Sequence, residues 1–94
     1  MIRDEFREQP QNTEKAVGDD VILQCRPPRG DPEPKVEWKK DEKALVANSR
    51  THVQDDGGLY MRDLEKDDAG MYSCVAHNIG GRRESKPARL SILG

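Results

Sequence analysis

Asp68-Ala69-Gly70-Met71-Tyr72-Ser73-Cys74-Val75-Ala76 is the stretch whose reading decides the fold. From Tyr72 onward it alternates: Tyr72, Cys74 and Ala76 fall on one side of an extended chain, Ser73 and Val75 on the other. The second cysteine, Cys25, closes Val21-Ile22-Leu23-Gln24-Cys25, where Val, Leu and Cys again share a face. Between them, Val36-Glu37-Trp38-Lys39 sets Val and Trp against charges. Leu59 and Met61 alternate with Tyr60 and Arg62, and Ala88, Leu90 and Ile92 alternate with Arg89 and Ser91. No stretch sustains the 3.6-residue apolar period of an amphipathic helix. Short strands with one apolar face each predict an all-β sandwich of two antiparallel sheets.

Turn residues separate these segments. Gly18-Asp19-Asp20 precedes the first strong strand, and Pro27, Pro28, Gly30, Pro32 and Pro34 crowd the next connection, which cannot join a ladder. Asp55-Asp56-Gly57-Gly58 predicts one hairpin and Gly80-Gly81 the last. Residues 42–54 are weakly patterned and predict short edge strands. There is no repeat or linker, so residues 1–94 read as one domain with a folded core of about 7–93.

The chain carries 36% charged residues with a net charge of only −2 and both signs interspersed, unlike the strongly basic balance of a nucleic-acid protein. No apolar run is long enough to span a bilayer. Met1-Ile2 is followed by the charged run Arg3-Asp4-Glu5 without a signal-peptide pattern, so a secretion signal and an anchor are expected outside this stretch. Two cysteines in so small a domain predict one disulfide, Cys25–Cys74, and an oxidising compartment.

Trp38 lies 13 residues after Cys25, and Cys74 lies 49 after it, with Tyr72 two residues before the second cysteine. This set resembles the immunoglobulin fold. The resemblance implies a disulfide joining the sheets, an indole packed against it, and a tyrosine hydroxyl bonded to backbone at a corner, with Leu64 and Asp68 in the same signature. The finer pattern is similar to the I-set class: Gly18-x-x-Val21-x-Leu23-x-Cys25, Trp38-x-Lys40-Asp41, Leu45, Leu59-x-Met61-x-x-Leu64 and Cys74-x-Ala76-x-Asn78-x-x-Gly81. Asp41-Glu42 departs from the Asp/Asn-Gly common at that turn.

Three segments resemble, more narrowly, the second immunoglobulin domain of Roundabout axon-guidance receptors. They are Arg3-Asp4-Glu5-Phe6-Arg7 with Pro10, Pro27-Pro28-Arg29-Gly30-x-Pro32-Glu33-Pro34 leading to Trp38-Lys39-Lys40, and Asn78-x-x-Gly81-x-Arg83-Glu84-Ser85. Residues 42–57 depart most. The resemblance implies the extracellular portion of a single-pass plasma-membrane receptor, whose ligands are secreted Slit proteins and heparan sulfate. The alternatives are a homophilic neural cell-adhesion domain and a structural spacer.

No nucleophile–base motif or phosphate-cradling loop occurs, so the expectation is no enzyme, no cofactor and no metal. Cys74-x-x-His77 with Cys25 and His52 has ligand-like spacing, but Cys74 and His77 fall on opposite faces of one strand. Arg29-Gly30-Asp31 spells an integrin-binding tripeptide, though three residues are a weak match. Strand parity puts Lys35, Lys39, Arg83 and Arg89 outward on one sheet, with Arg82 beside them and Arg26 and Arg29 at one end. Arginine offers sulfate a planar fork, so these are the candidate heparan sulfate contacts. Against that, charges on an outer strand face ordinarily serve solvation, Glu37 interrupts the stripe, and a bulge would flip Arg83 and Arg89. Met71, Val75 and Ile79 form a candidate apolar partner face, for self-association among others. Scattered surface hydrophobes would look the same. No Asn-x-Ser/Thr sequon occurs.

Overall fold

The computed structural model describes residues 5–94; Arg3 and Asp4 of the Roundabout-like opening lie outside them. The strands are β1 (Thr13–Ala16), β2 (Val21–Leu23), β3 (Lys35–Lys40), β4 (Lys43–Ala44), β5 (Thr51–Val53), β6 (Leu59–Met61), β7 (Gly70–Asn78), β8 (Gly81–Glu84) and β9 (Ala88–Leu93). One sheet runs β1-β9-β7-β3-β4, with β8 also on β7; the other runs β2-β6-β5. The five alternating segments are strands, and the weakly patterned region yields two short edge strands, β4 and β5. The proline-rich connection contains no strand. β1, which pairs parallel to β9, has no clear apolar alternation in Thr13-Glu14-Lys15-Ala16 and was not legible beforehand.

The inner faces meet in one core of Val21, Leu23, Cys25, Trp38, Leu59, Met61, Leu64, Tyr72, Cys74 and Leu90. Cys25 and Cys74 are disulfide-bonded, joining the segment after β2 to the centre of β7. Trp38 stands opposite Cys74 in the β3–β7 register. Its indole Nε1 donates a buried hydrogen bond to Gly57 O at 2.9 Å. A buried N–H needs such a partner, and here a turn provides it.

The corner before β7 is built as the tyrosine position implied. Tyr72 Oη donates to Asp68 O at 2.5 Å. Burial pushes the Tyr72 hydroxyl well above its ordinary range, keeping it a donor. Asp68 accepts from Arg50 Nη1 at 3.0 Å and from Glu65 N at 2.8 Å. Burial raises its carboxyl pKa, but the Arg50 hydrogen bond, the Glu65 amide and the nearby cations outweigh burial and leave it lowered. The folded protein therefore binds that proton more weakly than the unfolded chain. The contribution is complete above the carboxyl's ordinary pKa of about 3.9 and disappears as pH falls toward the lowered value. Asp68→Asn is expected to lower Tm by several degrees at pH 7 and to shrink the Tm loss between pH 5 and pH 2. Thermal scans across that range check both.

The β3–β4 hairpin turns through Asp41 and Glu42, whose φ values are 50° and 71°. Two left-handed residues define a type I′ turn, where glycine is favoured at the second position. Glu42 adopts it at the steric cost of a Cβ. Glu42→Gly is expected to stabilise the domain by about 0.5–1 kcal/mol, readable as a shift in the urea midpoint.

Candidate functional site

The outer face of the larger sheet is ordered by register. Lys35 on β3 lies opposite His77 on β7, which lies opposite Arg82 on β8. The next row outward is Glu37, Val75 and Glu84. Lys39 then faces Ser73, and Met71 faces Arg89 near the far end of β7.

One expected position is corrected. Between the pairs Tyr72–Ala88 and Val75–Glu84, β7 advances three residues while its partner advances four. The extra residue is a bulge at Ser85–Pro87, pinned where Cys74 N donates to Ser85 Oγ at 3.0 Å and Ser85 N donates to Cys74 O at 2.8 Å. It turns Arg83 to the side of buried Ala76 and brings Arg82 outward in its place. Arg83 instead meets Glu5 at 3.7 Å. Arg89, on the other side of the bulge, keeps its outward parity.

The stripe is also less continuous than parity suggested. Lys39 Nζ sits 2.9 Å from Glu84 Oε1, and Ser73 Oγ donates to Glu84 Oε2 at 3.2 Å. The Lys39 hydrogen bond holds the Glu84 carboxyl below its usual range. Arg26 pairs with Glu8 at 3.6 Å, beside the bridge joining residues 8 and 26. Among the described residues, no ion pair engages Lys35, Arg82 or Arg89. Arg89 stands six residues of β7 from the Lys35–His77–Arg82 row, about 20 Å along the strand. The row therefore groups Lys35 with Arg82 and leaves Arg89 apart. Arg29 and Asp31 are exposed in the connection before β3, where Asn78 Nδ2 donates to Pro32 O at 3.0 Å and ties that loop to the β7–β8 turn.

The apolar partner face does not form as expected. Val75 is outward in register but only 4% exposed, flanked by Glu37 and Glu84. Met71 is half-buried. Only Ile79, 93% exposed in the β7–β8 turn, offers bare apolar surface, so the three do not make a continuous strip. His77 lies near Glu37, Nε2 to Oε1 3.6 Å, a contact invisible to one-strand parity but readable once β3 and β7 are paired. The two cysteines are joined to each other, so neither is a thiolate for His52 or His77 to complete.

The family model for the immunoglobulin I-set domain matches residues 4–92. The chain belongs to the I-set immunoglobulin family. This I-set domain is 45% identical over 93 residues to human Roundabout homolog 3, covering 99% of the chain and 7% of that relative. It is 43% identical over 95 residues to protein sax-3 of Caenorhabditis elegans, covering 99% of the chain and 8% of the relative. The domain thus spans less than a tenth of those relatives' length. Among solved structures, the N-terminal Ig1-2 module of the Drosophila receptor protein tyrosine phosphatase DLAR superposes with a TM-score of 0.89 at 29% identity, covering 95% of this domain and 45% of that chain. I-set domains are recognition modules without catalytic machinery, and the outer face described above is built of ion-pairing and solvated groups.

Proposed function

We propose that this I-set domain is a recognition module in the extracellular portion of a Roundabout-type guidance receptor, contributing to the binding of a secreted Slit-type ligand and of heparan sulfate, and that it catalyses nothing. The observation that carries the glycan reading is the pair of cations Lys35 and Arg82, set on the same outer face without an ion-pair partner among the described residues. A lysine and an arginine on the two strands that flank β7 suit a sulfated chain, because neither is held in an ion pair among the described residues. The likeness to Roundabout proteins over 99% of the chain supports the receptor context. The buried disulfide supports an oxidising, extracellular setting.

Lys39, Arg26 and Arg83 are secondary in this reading, since each already faces a carboxylate. The double variant Lys35→Glu, Arg82→Glu is expected to elute from immobilised heparin at clearly lower salt than the parent, whereas Arg89→Glu is expected to shift elution less. Elution at the parent salt concentration for the double variant would remove the proposed face. Circular dichroism of the variants checks that the fold is intact.

A further inference from the structure

His77 occupies the middle of the row between Lys35 and Arg82. Directly opposed residues on adjacent antiparallel strands have Cα atoms roughly 4.5–5.5 Å apart, so the three side chains span roughly 10 Å. Neutral, the imidazole separates two cations. Protonated, it becomes a third donor of the same sign in the same line.

The surroundings sharpen the effect. From β3, Lys35 and Glu37 face His77; from β8, Arg82 and Glu84 do. Glu84 is engaged by Lys39 at 2.9 Å. The loop packed at this end brings Arg29, Asp31 and Glu33, of which Glu33 is paired with Arg7 at 3.0 Å. Glu37 is the carboxylate that His77 Nε2 approaches, at 3.6 Å. Protonation of the imidazole adds one positive charge, which offsets the negative charge of that carboxylate. Imidazole is the side chain that changes charge between about pH 5 and 8, where sulfate esters stay fully ionised.

We infer that His77 is a proton-dependent member of an anion-binding row with Lys35 and Arg82, so that sulfated polysaccharide is held more tightly in a mildly acidic medium than at neutral pH. This rests on the glycan-binding reading above. The same row gives Glu37 a defined role: at neutral pH it weakens anion binding, and at lower pH His77 cancels it.

The test is calorimetric binding of a size-defined heparin oligosaccharide to the 94-residue chain at pH 7.5 and pH 5.8, at fixed ionic strength. The parent is expected to bind about threefold tighter at the lower pH, the scale of one exposed charge contact. His77→Gln is expected to abolish that gain, so that its affinities at pH 7.5 and pH 5.8 agree within error. His52→Gln, altering the histidine on the opposite sheet, is expected to keep the gain. Glu37→Gln is expected to raise affinity at pH 7.5. An undiminished gain in His77→Gln, or no gain in the parent, would overturn the inference while the loss of binding in Lys35→Glu, Arg82→Glu upheld the glycan site. No binding by the parent at either pH would overturn both.

Discussion

Replacing Cys25 and Cys74 together by alanine is expected to destabilise the domain by about 4 kcal/mol. The bond closes a loop between residues 49 apart in sequence, and the chain-entropy account assigns about that much to a loop of this length. Both sulfurs are buried in the core, so the truncation also leaves a small void where the sheets meet. Domains of this size have about 5–15 kcal/mol of net stability, and the loss removes a large share of it. The expected result is a large drop in the urea midpoint, with substantial unfolding near 37 °C. The same drop should follow reduction of the parent under conditions that expose the bond. A midpoint shift of only a few tenths of a molar would mean that the core holds the sheets together without the bond.

Trp38→Ala is expected to cost about 3–5 kcal/mol, the range for deleting a large buried aromatic. Trp38 is 2% exposed and sits beside the disulfide, so its removal opens a cavity against Cys74 and the inner strands. It also strands Gly57 O, which loses its indole donor. That turn has little room to adjust. Gly57 has φ 103°, and a Cβ there would lie 2.6 Å from Cys25 O. Trp38→Phe separates the two contributions: it keeps most of the packing and loses the hydrogen bond, so a loss of about 1–3 kcal/mol is expected. Chemical denaturation of the two variants side by side makes the comparison. Equal losses would assign the indole's whole role to the polar contact.

The core was readable before the structure because its signal is local. Period-two alternation around Leu23, Trp38, Leu59, Cys74 and Leu90 places each on an inner face without knowledge of its neighbours. What escaped depends on pairing between strands. The bulge at Ser85–Pro87 reverses the facing of Arg83 relative to Arg89 and substitutes Arg82, and nothing in Arg82-Arg83-Glu84 announces it. Val75 faces the outer side in register, yet it is buried there, with Glu37 and Glu84 opposite it on the two flanking strands. The partners of Lys39 and His77, Glu84 and Glu37, lie on other strands and appear only with the register. The donor bond of Trp38 ends on a turn carbonyl 19 residues away, which no residue-type pattern specifies.

The candidate site is consequently smaller than a charge inventory implied. Of the cations expected to form one stripe, Lys39, Arg26 and Arg83 are already matched with carboxylates, and Arg89 stands apart. What remains is a compact row of Lys35 and Arg82 at the end of the sheet, with Arg29 exposed in the proline-rich loop beside it. Binding through so few exposed charges is salt-sensitive by nature, because ions screen them at physiological strength within about 8 Å.

The measurement that tests this account most directly is capture of a Slit-type ligand fragment by the domain with and without heparin, at low and physiological salt, comparing the parent with Lys35→Glu, Arg82→Glu. The account predicts that heparin strengthens capture by the parent, that added salt reverses the gain, and that the double variant shows none. Heparin-enhanced capture that is the same in parent and variant would contradict it, and would move the glycan contact off this face.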